Sequence, residues 1–379
     1  VSARQRWGRL ASAVSVLGLA AAVLVGCGSS GKPKPAELGP NPGLMGVRQV
    51  WSAKVGAVGY PLDVHVAGTQ IALASSDGTV LGLDARTGRE LWRASTNAKL
   101  SAGVGGDGQR TAVATQSNEV VVFESGRELW RHKLPAQVAT APFVAGGRVF
   151  VLTADRSVTA LDGASGRRLW TQQRAGDPLV LRQSGVILAV GDTLLVGLSG
   201  RLVGLNPLNG QVRWDAAVAT PRGTNDVERL VDLVGRVSRV GGSVCVRAFQ
   251  AGVGCVDADR GNLVWTKTSQ GHVGVHGDER MFYGPESDGK VVGWRRSDGE
   301  RVWVSERLRY RQLTAPLALG RSVIVGDETG IVHFLSREDG SPLTRVSTDG
   351  SPIAAAPVVA DDTLVVITRN GGVFGYAPE

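Results

Sequence analysis

Apolar and polar positions along this chain recur mostly in short blocks with a period of two, and no stretch between them carries a long amphipathic helical pattern. In the block Val80-Leu81-Gly82-Leu83, alternate positions read as a strand with both faces packed. The polar run that follows predicts a turn: Asp84 can accept hydrogen bonds from backbone donors a few residues on, and Gly88 can take the left-handed conformation that closes it. A second strand then begins at "RELW", where Trp92 is large enough to fill a gap between neighbouring sheets.

This unit is repeated. "GTVLGLDARTGRELW" (78–92) returns as "NEVVVFESGRELW" (118–130), "RSVTALDGASGRRLW" (156–170), "GRLVGLNPLNGQVRW" (200–214), "AGVGCVDADRGNLVW" (251–265) and "GKVVGWRRSDGERVW" (289–303). A degenerate copy, "GIVHFLSREDGSPLT", follows at 330–344. An eighth begins as "GGVFGYAPE" (371–379) and stops before its tryptophan, while Trp51 in "VRQVWSAKVG" has no strand-turn unit before it. The terminal slots Trp51, Trp92, Trp130, Trp170, Trp214, Trp265, Trp303 and Thr344 are spaced by 41, 38, 40, 44, 51, 38 and 41 residues. About 40 residues hold four short strands with their turns, which is the spacing of a β-propeller blade. The pattern therefore predicts an all-β, eight-bladed propeller in which residues near 47–55 supply the outer strand of the last blade. An open array or sandwich would leave both the orphan Trp51 strand and the truncated last repeat unexplained.

Turn chemistry fits the same architecture. Asp77-Gly78, Ser199-Gly200 and Asn370-Gly371 sit where an inner hairpin is expected, as two-residue loops. Pro142, Pro316 and Pro357, each after an alanine, mark strand starts, where a missing donor does least harm. The 52 glycines suit many buried strands joined by tight turns. The long interval between Trp214 and Trp265 implies an enlarged connection, "AAVATPRGTNDVERLVDLVGRVSRV".

The first residues read differently. Arg4, Arg6 and Arg9 precede the apolar run "LASAVSVLGLAAAVLVGC", which has the form of an export signal over residues 1–26. Its end, "LVGC", resembles a lipobox, making Cys27 the expected lipidated residue, and Gly28 after it favours the outer membrane. Residues 27–46 are rich in Gly and Pro and are expected to form a flexible tether, with the propeller spanning 47–379. Removing residues 1–26 takes away three arginines and no acid, lowering the formal charge from +8 to +5. That charge is modest and no basic cluster is interleaved with aromatics, so nucleic acid is not an expected partner.

Candidate chemistry is sparse. Cys245 and Cys255 lie across one hairpin, "CVRAFQAGVGC". A two-residue turn at Gln250-Ala251 would set Cys245 opposite Val256 and put the two thiols on opposite faces. A bulge or three-residue loop would instead admit a disulfide, which an oxidising compartment allows. His272 and His276 have the spacing of metal ligands on a helix, but the glycines among them exclude one, and on a strand the rings would stand about 13 Å apart. His65, His132 and His333 are scattered, and neither a calcium-loop pattern nor a G-x-S-x-G elbow occurs. No metal, cofactor or catalytic residue is assigned.

The lipobox, the tryptophan-ended repeats and the phrases "RQLTAPLALGRSVIVGDETGIVHF" (311–334) and "APVVADDTLVVITRNGGVFGY" (356–376) resemble the BamB family of outer-membrane lipoproteins, over residues 47–379. The repeats are also similar to those of pyrroloquinoline-quinone alcohol dehydrogenases. Against that enzyme class stand the absence of adjacent cysteines, the shorter chain and the lack of a calcium constellation. The BamB resemblance implies a non-enzymatic accessory of outer-membrane β-barrel assembly, lipid-anchored on the periplasmic face and docked on the POTRA domains of BamA. Unfolded barrel precursors are a further partner it suggests, met through loops or by strand addition at a blade edge. It also implies contact residues. Leu179, Leu181 and Arg182 in "DPLVLRQSG" match a Leu-x-Leu-Arg contact segment. Asp232 matches the first of two aspartates in a second segment, Val234 stands in place of the other, and Asp226 or Glu228 could compensate. Without the family, two leucines so spaced read as core and Arg182 as a solvated strand-end charge.

Overall fold

The computed structural model describes residues 33–174, 180–221, 224–225 and 229–379. Its main unit runs from Ala36 to Glu379 and contains eight antiparallel sheets of four strands arranged as an eight-bladed β-propeller. Blades 1 to 7 occupy residues 65–95, 100–133, 143–173, 187–217, 233–268, 276–305 and 317–347. Blade 8 takes three strands from 358–378 and its outer strand from Val47–Lys54, with Val47 opposite Pro378 and Lys54 opposite Gly372. The expected closure is therefore present.

The repeated turn works as its residues dictate. Asp84 Oδ1 accepts from Arg86 N at 3.1 Å and Thr87 N at 2.9 Å, and Gly88 closes the turn with φ 69°. The sequence pattern did not reveal the device that follows: a bulge in the outer strand just before each aromatic slot. In blade 1, Leu83 faces Glu90 but Gly82 faces Trp92, so Leu91 is extra. The added residue re-aims the tryptophan toward the next blade. Trp51 Nε1 thus donates to Ala85 O at 2.8 Å, Trp130 to Gly163 O at 3.0 Å, and Trp303 to Arg337 O at 2.9 Å. Each ring also lies on the turn glycine of that next blade, Gly88, Gly166 or Gly340, where a Cβ would strike it. Thr344 is the exception for a physical reason. Its target would be the turn between the last two strands of blade 8, and those strands come from opposite ends of the propeller sequence, so no such turn exists.

Two expectations need correction. Blades 1 and 8 turn through three residues, 76–78 and 369–371, rather than two, with Ser75 N donating to Thr79 O and Thr368 N to Gly372 O; the two-residue inner loop occurs at Ser199-Gly200, where Leu198 faces Arg201. Blade 5 instead pairs Ala248 with Gly252 across the three residues Phe249, Gln250 and Ala251, with Gln250 at φ 47°. One extra loop residue shifts the register by one and places Cys245 directly opposite Cys255 on the same face. The two are joined in a disulfide, with Cα atoms 4.0 Å apart. The second correction concerns the tether. From Ala36 to Gly46 the chain lies along blade 7, with Leu44 N donating to Leu343 O at 2.8 Å and Met45 packed on a core cluster of blades 7 and 8.

Candidate functional site

Four antiparallel strands return each blade to the face on which it began, so every connection from an outer strand to the next inner strand emerges on one face. These connections surround a central funnel of about 860 Å³, lined in turn by residues such as Leu62, Gly105, Pro142, Gly185, Arg236, Val273, Thr314 and Ala354. The funnel wall is polar in places; His65 Nε2 has no hydrogen-bond partner among the described residues, but other groups are paired. Ser184 Oγ donates to Asp63 Oδ2 at 2.6 Å, linking the approach to blade 4 with that to blade 1, and Arg236 Nη1 donates to Pro357 O at 2.9 Å. Burial pushes the Asp63 carboxyl up, while the Ser184 hydrogen bond and the Arg236 charge pull it back.

The segments singled out in the sequence are two consecutive connections on this face. Residues 174–186 join blades 3 and 4, and residues 218–232 join blades 4 and 5. Leu179, Asp226 and Glu228 lie outside the described residues. Leu181 and Asp232 are brought together: Leu181 N donates to Asp232 Oδ2 at 3.0 Å. Next to them Gly185 forms an antiparallel bridge with Val234, and Gly235 N donates to Ser184 O at 2.9 Å. Leu181 is half-buried beside a cleft of about 70 Å³ with Leu152, Leu198 and Leu233. Arg182 is exposed, with Nη2 3.4 Å from Gln137 Oε1. Val234 is buried in the inner strand of blade 5, so this position has no exposed side chain to offer.

One residue of this site was missed. The Nη1 of Arg156, a buried side chain, lies 3.5 Å from Asp232 Oδ1. Asp232 is therefore a brace between two connections and a buried cation. A signal existed in the repeats: Arg156 holds φ 63° at a turn position where blades 1 and 7 use Gly78 and Gly330.

The histidines do not form a ligand set. His276 Nδ1 accepts from Ala318 N at 3.0 Å, whereas His272 lies beside Ser287. Among the described residues no group of three or more His, Cys, Asp or Glu side chains is placed to hold a metal ion.

Comparison with known proteins agrees with this architecture. The sequence profile of the family described as "Outer membrane protein assembly factor BamB" matches residues 76–305. A protein of that name from Burkholderia pseudomallei is 38% identical over 370 residues, covering 95% of this chain and 96% of the relative. Among solved structures, BamB from Moraxella catarrhalis superposes with a TM-score of 0.80 at 23% identity, covering 87% of this chain and 99% of that one. A quinohemoprotein alcohol dehydrogenase from Comamonas testosteroni shares the fold at a TM-score of 0.67 and 13% identity, and the present chain covers 79% of it. With its eight blades, its blade-to-blade tryptophans and a profile match across more than half its length, the chain belongs to the BamB family of outer membrane protein assembly factors.

Proposed function

We propose that this protein is a non-enzymatic accessory factor of outer-membrane β-barrel assembly, attached to the periplasmic face of the outer membrane through lipidated Cys27. In this reading it docks on the POTRA domains of BamA through the paired connections that contain Leu179, Leu181, Arg182 and Asp232. The observation that supports it is the hydrogen bond from Leu181 N to Asp232: two segments 51 residues apart in sequence form one surface on the rim of one face. That surface combines a half-buried leucine with an exposed guanidinium able to make directional bonds to a carboxylate or to free carbonyls.

A binding titration against the POTRA domains tests the reading. Arg182→Ala should weaken association by about 2 kcal/mol if its charge is desolvated at the contact. The triple variant Leu179→Ser, Leu181→Ser, Arg182→Ala should lose more while keeping the wild-type unfolding temperature. Equal affinities of the wild type and the folded triple variant would reject this site.

A further inference from the structure

Residues 36–46 descend the outer edge of blade 7 before the chain turns into the closing strand of blade 8. At the upper end, Ala36 N donates to Arg309 O at 2.8 Å, and Ala36 O accepts from Arg311 Nη2 at 2.9 Å and Nε at 3.2 Å. The same guanidinium reaches Asp327 Oδ2 at 2.8 Å, and fully buried Asp327 is fixed in turn by His333 Nε2 at 2.8 Å. Burial works against the Asp327 charge, but the bonds from His333, Ile331 N and Thr329 outweigh it and hold the carboxyl well below its ordinary range. Arg311 is therefore a charged clamp on the backbone of Ala36. Lower down, Asn41 Nδ2 donates to Arg345 O and Asn41 Oδ1 accepts from Arg345 N, both at 3.1 Å. Arg321 Nη2 donates to Leu44 O at 2.7 Å, and Leu38 packs on the core cluster that contains Trp303 and Leu308.

The direction of this segment matters. Ala36 sits at the connection between blades 6 and 7, on the face that carries Leu181, Arg182 and Asp232, whereas Gly46 sits beside Glu379 on the opposite face. If the chain were held only from Val47 onward, it would leave the disc from that opposite face.

We propose that residues 36–46 are a docked strap that brings the lipid tether off the disc at the blade 6–7 junction, turning the face that carries the paired connections toward the bilayer. The inference rests on the reading of Cys27 as the lipid attachment point. Between Cys27 and Ala36 the chain can reach about 30 Å at full extension, against about 70 Å between Cys27 and Val47. A six-residue strand of the disc is itself about 20 Å tall, so the shorter reach leaves little length to carry the lipid round to the opposite face, whereas the longer one reaches either face freely.

The test uses the lipidated full-length protein bound to phosphatidylethanolamine–phosphatidylglycerol vesicles carrying a headgroup energy acceptor. Arg307→Cys labels the blade 6–7 connection and Glu338→Cys the opposite face of blade 7; both positions are exposed. Cys27 is acylated in this reading and Cys245 is bonded to Cys255, so each introduced thiol is the one available to the dye. Transfer from position 307 should exceed transfer from position 338 by more than about twofold, given the height of a strand. The difference should disappear in an Asn41→Ala, Arg311→Ala background. Should that background unfold, Leu44→Pro removes the donor to Leu343 without disturbing the buried ion pair. Equal transfer from the two labels on vesicle-bound protein overturns the strap proposal, as does a difference that survives release of the strap. Protein without acyl mass that fails to float with the vesicles overturns the lipid anchor itself, and the orientation proposed from it.

Discussion

At the scale of single residues, two side chains carry consequences that can be measured. His276 must keep Nδ1 free of a proton to accept from Ala318 N. Burial lowers its pKa to about 3, with help from the charges of Arg236, Arg296 and Arg337. The unfolded chain, titrating near the ordinary value of about 6.5, takes up the proton first as the medium is acidified. The contribution of His276 is therefore complete above that value and is lost as pH falls toward 3. Unfolding temperatures measured from pH 7 down to pH 4 should fall more steeply for the wild type than for His276→Gln. The cysteine pair is the second case. A ten-residue separation closes a short loop, so Cys245→Ser with Cys255→Ser should cost about 2–3 kcal/mol in urea unfolding, and reductant should have that effect on the wild type alone. Identical denaturation midpoints with and without reductant would count against the bond.

At the scale of elements, the strand Val47–Lys54 closes the ring by pairing along nearly the whole of Gly372–Pro378 and by sending Trp51 into blade 1. Without it, blade 8 would present an unpaired edge and blade 1 would lose the ring that covers Gly88. Deleting residues 47–54 should therefore abolish a cooperative thermal transition, whereas deleting residues 33–35 should leave it in place; circular dichroism melting curves distinguish the two. The repeats made this strand legible, because an orphan tryptophan at one end matched a missing one at the other. The bulge ahead of each tryptophan was not legible. It is one residue of irregularity in a pattern whose period is two, and it becomes visible only once the partner strand is paired.

At the scale of the whole molecule, the paired connections behave as a braced surface, and its residues have separable roles. Asp232 holds Leu181 N and lies against buried Arg156, so Asp232→Ala should lower stability by about 1–3 kcal/mol as well as weaken partner binding. Exposed Arg182, on the rim, should affect binding with little change in the unfolding temperature. Calorimetry and titration on the same two variants check the contrast. Loss of binding with no loss of stability in Asp232→Ala would make that carboxylate a direct contact.

Sequence alone determined the number of blades and the position of the closing strand, since each depends on local periodicity or on a motif repeated at fixed spacing; the two stretches that meet at Leu181 and Asp232 were singled out only by resemblance to the BamB family. Tertiary structure decided the rest. The cysteine bond hung on one loop residue that reverses which side chains share a face, a loop length that the pairing of the two strands decides and the two-residue turn rule does not contain. The role of Asp232 depended on Arg156, a residue 76 positions away that enters the site through a neighbouring blade. The segment 36–46 has the composition of a linker, yet it docks along blade 7, whose outer strand carries Thr344 where the other blades carry a tryptophan. Asn41 and Leu44 bond to the outer strand of blade 7 and Met45 packs where blades 7 and 8 meet, partners that only the assembled ring brings to them.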